Sequence, residues 1–197
     1  YNKSINDWRN MVSKVVTMFH QIISPLNNPP PRYGVRLEDI KRSPREMMPR
    51  IADWMGISDH AELYESSFCG LQYWGPTSAS TGKITGFDTK AIDKPVGRLF
   101  GLRDLFIFET LFWPLSNKYS YTDESASEFR HRLAEIRPWL DKPLEFETRF
   151  YKQMGNHTSP IEKLGPYIRL HQFLCLLWKI LDSNETYHGM PDYLDLK

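Results

Sequence analysis

Only two cysteines, Cys69 and Cys175, occur in 197 residues, which excludes a dense disulfide framework. Both stand in apolar stretches and read as reduced core thiols. Neither sign of charge dominates: 25 Lys and Arg against 24 Asp and Glu leave a formal net charge of +1. That balance argues against a general nucleic-acid binder, which needs a basic footprint. No apolar run reaches the length of a bilayer span, and the longest, around Phe173 to Leu181, is interrupted by Lys179. The six histidines are scattered without paired ligand spacing, so no metal site is expected. No Gly-x-Ser-x-Gly elbow and no Ser/His/Asp set stands out. Neither an initiating methionine nor a charged leader with an apolar signal core opens the chain at Tyr1. That start reads as an excised piece or a mature fragment.

What is present is the composition of a globular protein, 41% hydrophobic and 25% charged, with 14% aromatics to fill a large core. The length suits one domain, or one domain plus an appendage. Three Asn-x-Ser/Thr acceptor patterns begin at Asn2, Asn156 and Asn184, and they matter only in a eukaryotic secretory pathway.

The chain is organised around Tyr33 to Ile57. Tyr33, Val35 and Leu37 alternate with Gly34 and Arg36, the period of a strand with one apolar face. Glu38 and Asp39 stand at its end, where α/β proteins often place functional groups. Arg36 and Glu38 share a face and are expected to form a structural pair. Ser43-Pro44-Arg45-Glu46 predicts a capping box with proline at the first helical position. Met47, Ile51, Trp54 and Met55 form one helical face, and Gly56 is a left-handed stop. Pro49 conflicts locally with that helix.

Before this segment, the spacing of Trp8, Met11, Val12, Val15, Phe19 and Ile22 predicts a helix over 7–23. Pro29-Pro30-Pro31 then enforce an extended connector. After it, a short helix is expected over 59–65, and Phe68 to Trp74 is ambiguous between strand and loop. Gly75 to Lys83 is not a Walker loop: six residues separate its glycines where four are needed, and Ile84 follows the lysine. A flexible polar loop is the expectation there. From Gly82 to Arg103 the chain carries Lys83, Lys90, Lys94, Arg98 and Arg103 against Asp88 and Asp93, among four glycines. Cationic side chains with exposed amides suit a phosphate; a solvated charged loop is the alternative.

Leu102 to Trp113 predicts an apolar core helix ended by Pro114. From Thr122 the character becomes helical throughout. A helix capped at Thr122 or Asp123 is expected to bury Phe129, Leu133 and Ile136, with Pro138 closing it. Another is expected over 143–154, and the longest over 161–181, broken or kinked at Gly165-Pro166. In that last helix Ile168, Phe173, Leu174, Leu177, Trp178 and Leu181 need burial.

The central residues, Val35-Arg-Leu-Glu-Asp-Ile40, then Ser43-Pro44, then a helix ending Asp53-Trp-Met-Gly-Ile57, resemble the C-terminal segment of the sulfotransferase family. The family's usual form is Val-Arg-Tyr-Glu-Asp-Leu, Asp-Pro, a helix, and Phe-Leu-Gly-Leu. Leu37 stands for the tyrosine and Ser43 for the aspartate. The resemblance continues through Phe68 to Gly75 and Gly86-Phe87, and ends at Lys118-Tyr-Ser-Tyr121, so it covers about the first 120 residues. It implies an α/β P-loop-type fold of which this chain is the mostly helical C-terminal part (1–121), followed by a helical extension (122–197). The extension is a lid, a packing cap or an oligomer interface.

The resemblance also implies function: transfer of a sulfuryl group from 3′-phosphoadenosine-5′-phosphosulfate to an acceptor hydroxyl, without a metal. In the family a basic, glycine-containing loop near this place closes on the donor's 3′-phosphate, which assigns donor binding to Lys83, Lys90, Lys94 and Arg98. The family's Arg-Lys-Gly run is not present in that form. Tyr73 and Trp74 are candidates to line the acceptor pocket, with a core role as the alternative. The family's upstream phosphate loop, its Arg and Ser on the 3′-phosphate and its catalytic base are not found in this chain, so the chain is expected to be inactive alone. The compartment implied is cytoplasmic for a bacterial source, which is favoured, and the Golgi lumen for a eukaryotic one. The rival readings are a non-enzymatic helical interaction module and a small-molecule kinase. The kinase would need a magnesium-binding Ser/Thr and Asp that the chain does not show.

Overall fold

The computed structural model describes residues 2–23, 32–65, 67–68, 71–72, 87, 89, 92, 100–153 and 160–194. In chain order these contain α1 (Asn2–Ile23), β1 (Tyr33–Gly34), α2 (Leu37–Arg42), α3 (Pro44–Met55), β2 (Ser67–Phe68) and β3 (Leu71–Gln72). There follow α4 (Leu102–Leu111), α5 (Trp113–Lys118), α6 (Ala126–Ile136), α7 (Glu145–Gln153), α8 (Pro160–Asp182) and β4 (Asp192–Tyr193). The described residues are thus mostly helical. The central sheet of an α/β P-loop domain is not among them: each strand is two residues long, β1 pairing parallel with β4 and β2 antiparallel with β3.

Contacts divide the chain into two compact units, each made of separate stretches. The first comprises Tyr1–Pro31 and Gly97–Pro191, the second Arg32–Val96 and Asp192–Lys197. Residues 121 and 122 both fall within the first.

The first unit is built around α8. Leu170, Phe173, Leu174, Leu177 and Leu181 recur at helical spacing and are all buried. They meet Val12 and Ile23 of α1, Ile107 and Leu111 of α4, and Phe129, Leu133 and Ile136 of α6 in one core. Aromatic rings fill its edges: Phe19 stacks on Phe112 at 4.5 Å and Trp113 on Phe129 at 4.3 Å. Polar tips buried with the rings find backbone partners, Trp178 Nε1 donating to the Leu133 carbonyl at 2.9 Å and the Tyr187 hydroxyl to that of Leu111. The Gly189 amide donates to the Ile22 carbonyl at 2.7 Å, fastening the segment after α8 to the end of α1.

Several expectations for this unit need correction. Pro114 does not end a helix; the turn at Phe112 separates α4 from α5, and Pro114 sits in the first turn of α5, where a missing N–H is harmless. The cap of α6 is Ser125 rather than Thr122 or Asp123, in a full capping box with Glu128. Gly165-Pro166 does not break α8, which runs unbroken from Pro160 to Asp182 with Pro166 inside it. Ile168 is 40% exposed and not a core residue.

In the second unit, the chain expected to be extended to Leu37 turns helical there. Glu38 and Asp39 occupy the first turn of α2, and Lys41 and Arg42 the last, the charge order that a helix dipole favours. Leu37 is 59% exposed and contributes no apolar strand face. Ser43 forms no side-chain cap to α3. It is at once the last cap of α2 and the first of α3, with φ −128° and ψ 55°, and its amide is held by the Asp39 carbonyl. Pro44 leads α3 as expected, Pro49 is accommodated within it, and Gly56 ends it in the left-handed region at φ 68°. Of the expected apolar face of α3, Met47 is buried and Ile51 half-buried, whereas Trp54 and Met55 are exposed; Ala52 is the other buried residue of the helix. The short helix expected over 59–65 is a 3-10 turn, Ala61–Tyr64.

Truncation tests this account of the core. Leu177→Ala is expected to lose about 2–5 kcal/mol of unfolding free energy in chemical denaturation. Ile168→Ala, one helix face away, is expected to lose no more than about 0.5 kcal/mol. Equal losses at the two positions would contradict the assignment of faces.

Candidate functional site

The start of α2 carries the best-defined polar cluster of the second unit. Arg36 Nε donates to Asp39 Oδ2 and its Nη2 to Oδ1, both at 2.7 Å, a bidentate pair. The Tyr193 hydroxyl, brought in by the β1–β4 pairing, donates to Asp39 Oδ2 at 2.9 Å. The Arg36 guanidinium also lies 5.7 Å from the Tyr193 ring centre. The structural pair expected between Arg36 and Glu38 therefore involves Asp39. Helical geometry explains the change, since side chains three apart meet on a helix whereas alternate ones meet on a strand. Asp39 is 6% exposed. Its bonds from Arg36 hold the carboxyl below the usual carboxylate range, helped by Tyr193 and opposed by burial. Such a carboxylate is a structural anchor and a poor proton acceptor.

Beyond it, the end of α3 opens on a surface depression of about 570 Å³ lined by Pro49, Arg50, Ala52, Asp53 and the residues from Gly56 to Asp59. Asp59 accepts the Tyr64 hydroxyl at 3.0 Å. Asp53 and Asp59 outnumber the one cation in its wall, Arg50, so the lining favours no anionic nucleotide.

In the first unit, Asp104 and Glu147 are buried carboxyl groups at the start of α7. Neither stood out in the sequence; the readable signal was Pro143 followed by acidic residues in a helix's first turn. Arg103, the last cation of the basic segment, donates to the Pro143 carbonyl and lies 3.5 Å from Asp104 Oδ1. It is committed to holding α4 against the start of α7.

The residues assigned to the donor, Lys83, Lys90, Lys94 and Arg98, and those assigned to the acceptor, Tyr73 and Trp74, lie outside the described residues. Cys69 lies outside them too, while Cys175 is a free, half-buried thiol that burial pushes up. Among the described residues no group of three His, Cys, Asp or Glu side chains is placed to share a metal ion. No described helix is long and apolar enough to cross a membrane.

No family model, curated protein or solved structure matches this chain.

The Asp39 cluster yields a pH test. A depressed folded pKa contributes stability above the ordinary carboxylate value of about 3.9, lost as pH falls through the folded value. Tyr193→Phe removes one bond to the charged form. Carbon-13 NMR is expected to show Asp39 titrating at higher pH in the variant than in the wild type, with acid unfolding beginning at correspondingly higher pH. An unchanged Asp39 titration would contradict the assigned bond.

Proposed function

We propose that this chain is the C-terminal part of a sulfotransferase that moves a sulfuryl group from 3′-phosphoadenosine-5′-phosphosulfate to a hydroxyl of a carbohydrate, lipid or small-molecule acceptor. The observation that carries the reading is the segment Tyr33–Ile57. Its Val-Arg-Leu-Glu-Asp-Ile, Ser-Pro and closing Gly56 resemble the family's segment, with Leu37 in place of its tyrosine and Ser43 in place of its aspartate. Its local structure supports the same order, a strand followed by a charged turn of helix, a proline-led helix and a left-handed glycine.

In this reading the acceptor oxygen attacks sulfur, the bond from sulfur to the bridging phosphate oxygen breaks, and adenosine 3′,5′-bisphosphate leaves. Lys83, Lys90, Lys94 and Arg98 neutralise the nucleotide's phosphate charge, and Tyr73 and Trp74 flank the acceptor. No metal is required. The base that takes the acceptor's proton is not assigned within this chain, and Asp39 is excluded from that role by its bonds to Arg36 and Tyr193.

A second reading, a non-enzymatic helical interaction module, is favoured by the apolar side chains on the outside of the first unit. Met18, Leu164, Ile168 and Leu176 of α1 and α8 are all more than a third exposed. On the sulfotransferase reading the same faces serve as an oligomer interface.

Calorimetric titration of the full-length protein with adenosine 3′,5′-bisphosphate separates the two. Binding is expected, with a loss of about tenfold or more for each of Lys90→Ala, Lys94→Ala and Arg98→Ala. Absence of binding by the folded full-length protein would overturn the sulfotransferase reading and leave the interaction module.

A further inference from the structure

The start of α7 holds two carboxyl groups where one negative charge suffices. Asp104, with no accessible surface, accepts the Glu145 amide on Oδ1 and the Phe146 amide on Oδ2, both at 2.9 Å. Those two bonds place one charge on the free amides of a helix N-terminus, where it is stabilised. Glu147 is 2% exposed and sits in the same first turn of α7. Its Oε2 accepts the Leu144 amide at 3.1 Å, and its Oε1 is buried with no hydrogen-bond partner among the described residues.

The groups facing Glu147 do not balance a second charge. From α4 come Asp104, itself an anion, and Arg103, whose guanidinium is directed at Asp104, at the Pro143 carbonyl and, 3.9 Å away, at Glu145. Tyr167 of α8 feels the Glu147 charge and supplies no cation. No ion pair joins Glu147 to any described Lys, Arg or His. A buried carboxylate with a bare oxygen beside another carboxylate is costly, whereas the protonated form is tolerated.

We propose that Glu147 is a proton-operated latch: with its carboxyl protonated, α7 stays docked on α4, and with the carboxyl ionised, the first turn of α7 is released. Burial pushes the docked carboxyl up to about 7, Asp104 adding to the effect and the Leu144 amide opposing it. A released helix returns Glu147 to the ordinary value of about 4.3. The docked state then holds its proton more tightly than the released one. Docking therefore weakens by about tenfold per pH unit as pH rises from the released value to the docked one, and is level above both. Arg103 ends the basic segment 82–103 and Asp104 directly follows it, so release of α7 loosens the anchor at that segment's end. The latch itself does not depend on what the segment binds.

Amide hydrogen exchange on the full chain tests it. After correction for intrinsic rates, the Glu145 and Phe146 amides are expected to lose about tenfold or more in protection between pH 5 and 7, with little change from 7.5 to 8.5. Glu147→Gln, which cannot ionise, is expected to abolish that dependence. A flat wild-type profile, or the same slope in the variant, would overturn the latch. Carbon-13 NMR of the wild-type Glu147 carboxyl gives a reading that needs no variant. Titration near 7 supports the proposal, and titration in the ordinary carboxylate range overturns it.

Discussion

Helix α8 cannot hold its place alone, because it carries Leu170, Phe173, Leu174, Leu177 and Leu181 into a core with no water. The cover comes from α1, some 150 residues earlier in the chain, and from α4 and α6. That requirement makes the first unit discontinuous. Its two stretches, ending at Pro31 and resuming at Gly97, are separated by the second unit. Closing so long a loop costs entropy that grows only slowly with length, and the apolar area sealed by α1 and α8 offsets it. The second unit is discontinuous as well, since β1 is completed by β4 from near the end of the chain.

Three buried carboxyl groups show how local partners decide what an acid does here. Asp39 receives two bonds from Arg36 and one from Tyr193, and is kept ionised and fixed. Asp104 receives two backbone amides and serves as the charge on a helix terminus. Glu147 has one amide and one bare oxygen, and holds its proton to near neutrality. The first two bind elements together; the third makes one junction responsive to pH. None presents a free carboxylate to solvent at a basic groove, so the chemistry proposed for the chain rests on its cationic segment.

The sequence made the helices of the first unit legible where the apolar spacing was regular. Phe129, Leu133 and Ile136 are buried on α6 as their spacing requires, and α8 follows the same logic except at Ile168. The left-handed stop at Gly56 was equally readable, because glycine occupies that region without cost. Tyr33 to Leu37 was not. Five alternating residues are a weak signal, and the acidic pair at Glu38 and Asp39 followed by Lys41 and Arg42 favours a helix more strongly. Ser43 and Ser125 both open a Ser-x-x-Glu pattern, but only Ser125 caps. The difference lies in the backbone: Ser125 is extended at ψ 157°, whereas Ser43, shared between two helices, has ψ 55° and cannot aim its hydroxyl back. No spacing rule records that a residue serves two helices. The Asp104 and Glu147 junction was hidden for a related reason, since its groups are 43 positions apart and meet only through packing. The residues assigned to donor and acceptor lie outside the described residues, and their roles rest on charge, glycine content and family resemblance.

The central claim is that the basic segment closes on the nucleotide donor. It is tested most directly by photolabelling the full-length protein with an 8-azido derivative of adenosine 3′,5′-bisphosphate and mapping the labelled peptides. The account predicts adducts within residues 82–103, displaced by excess unmodified nucleotide. Displaceable adducts confined to other segments, or no displaceable labelling at all, would contradict it.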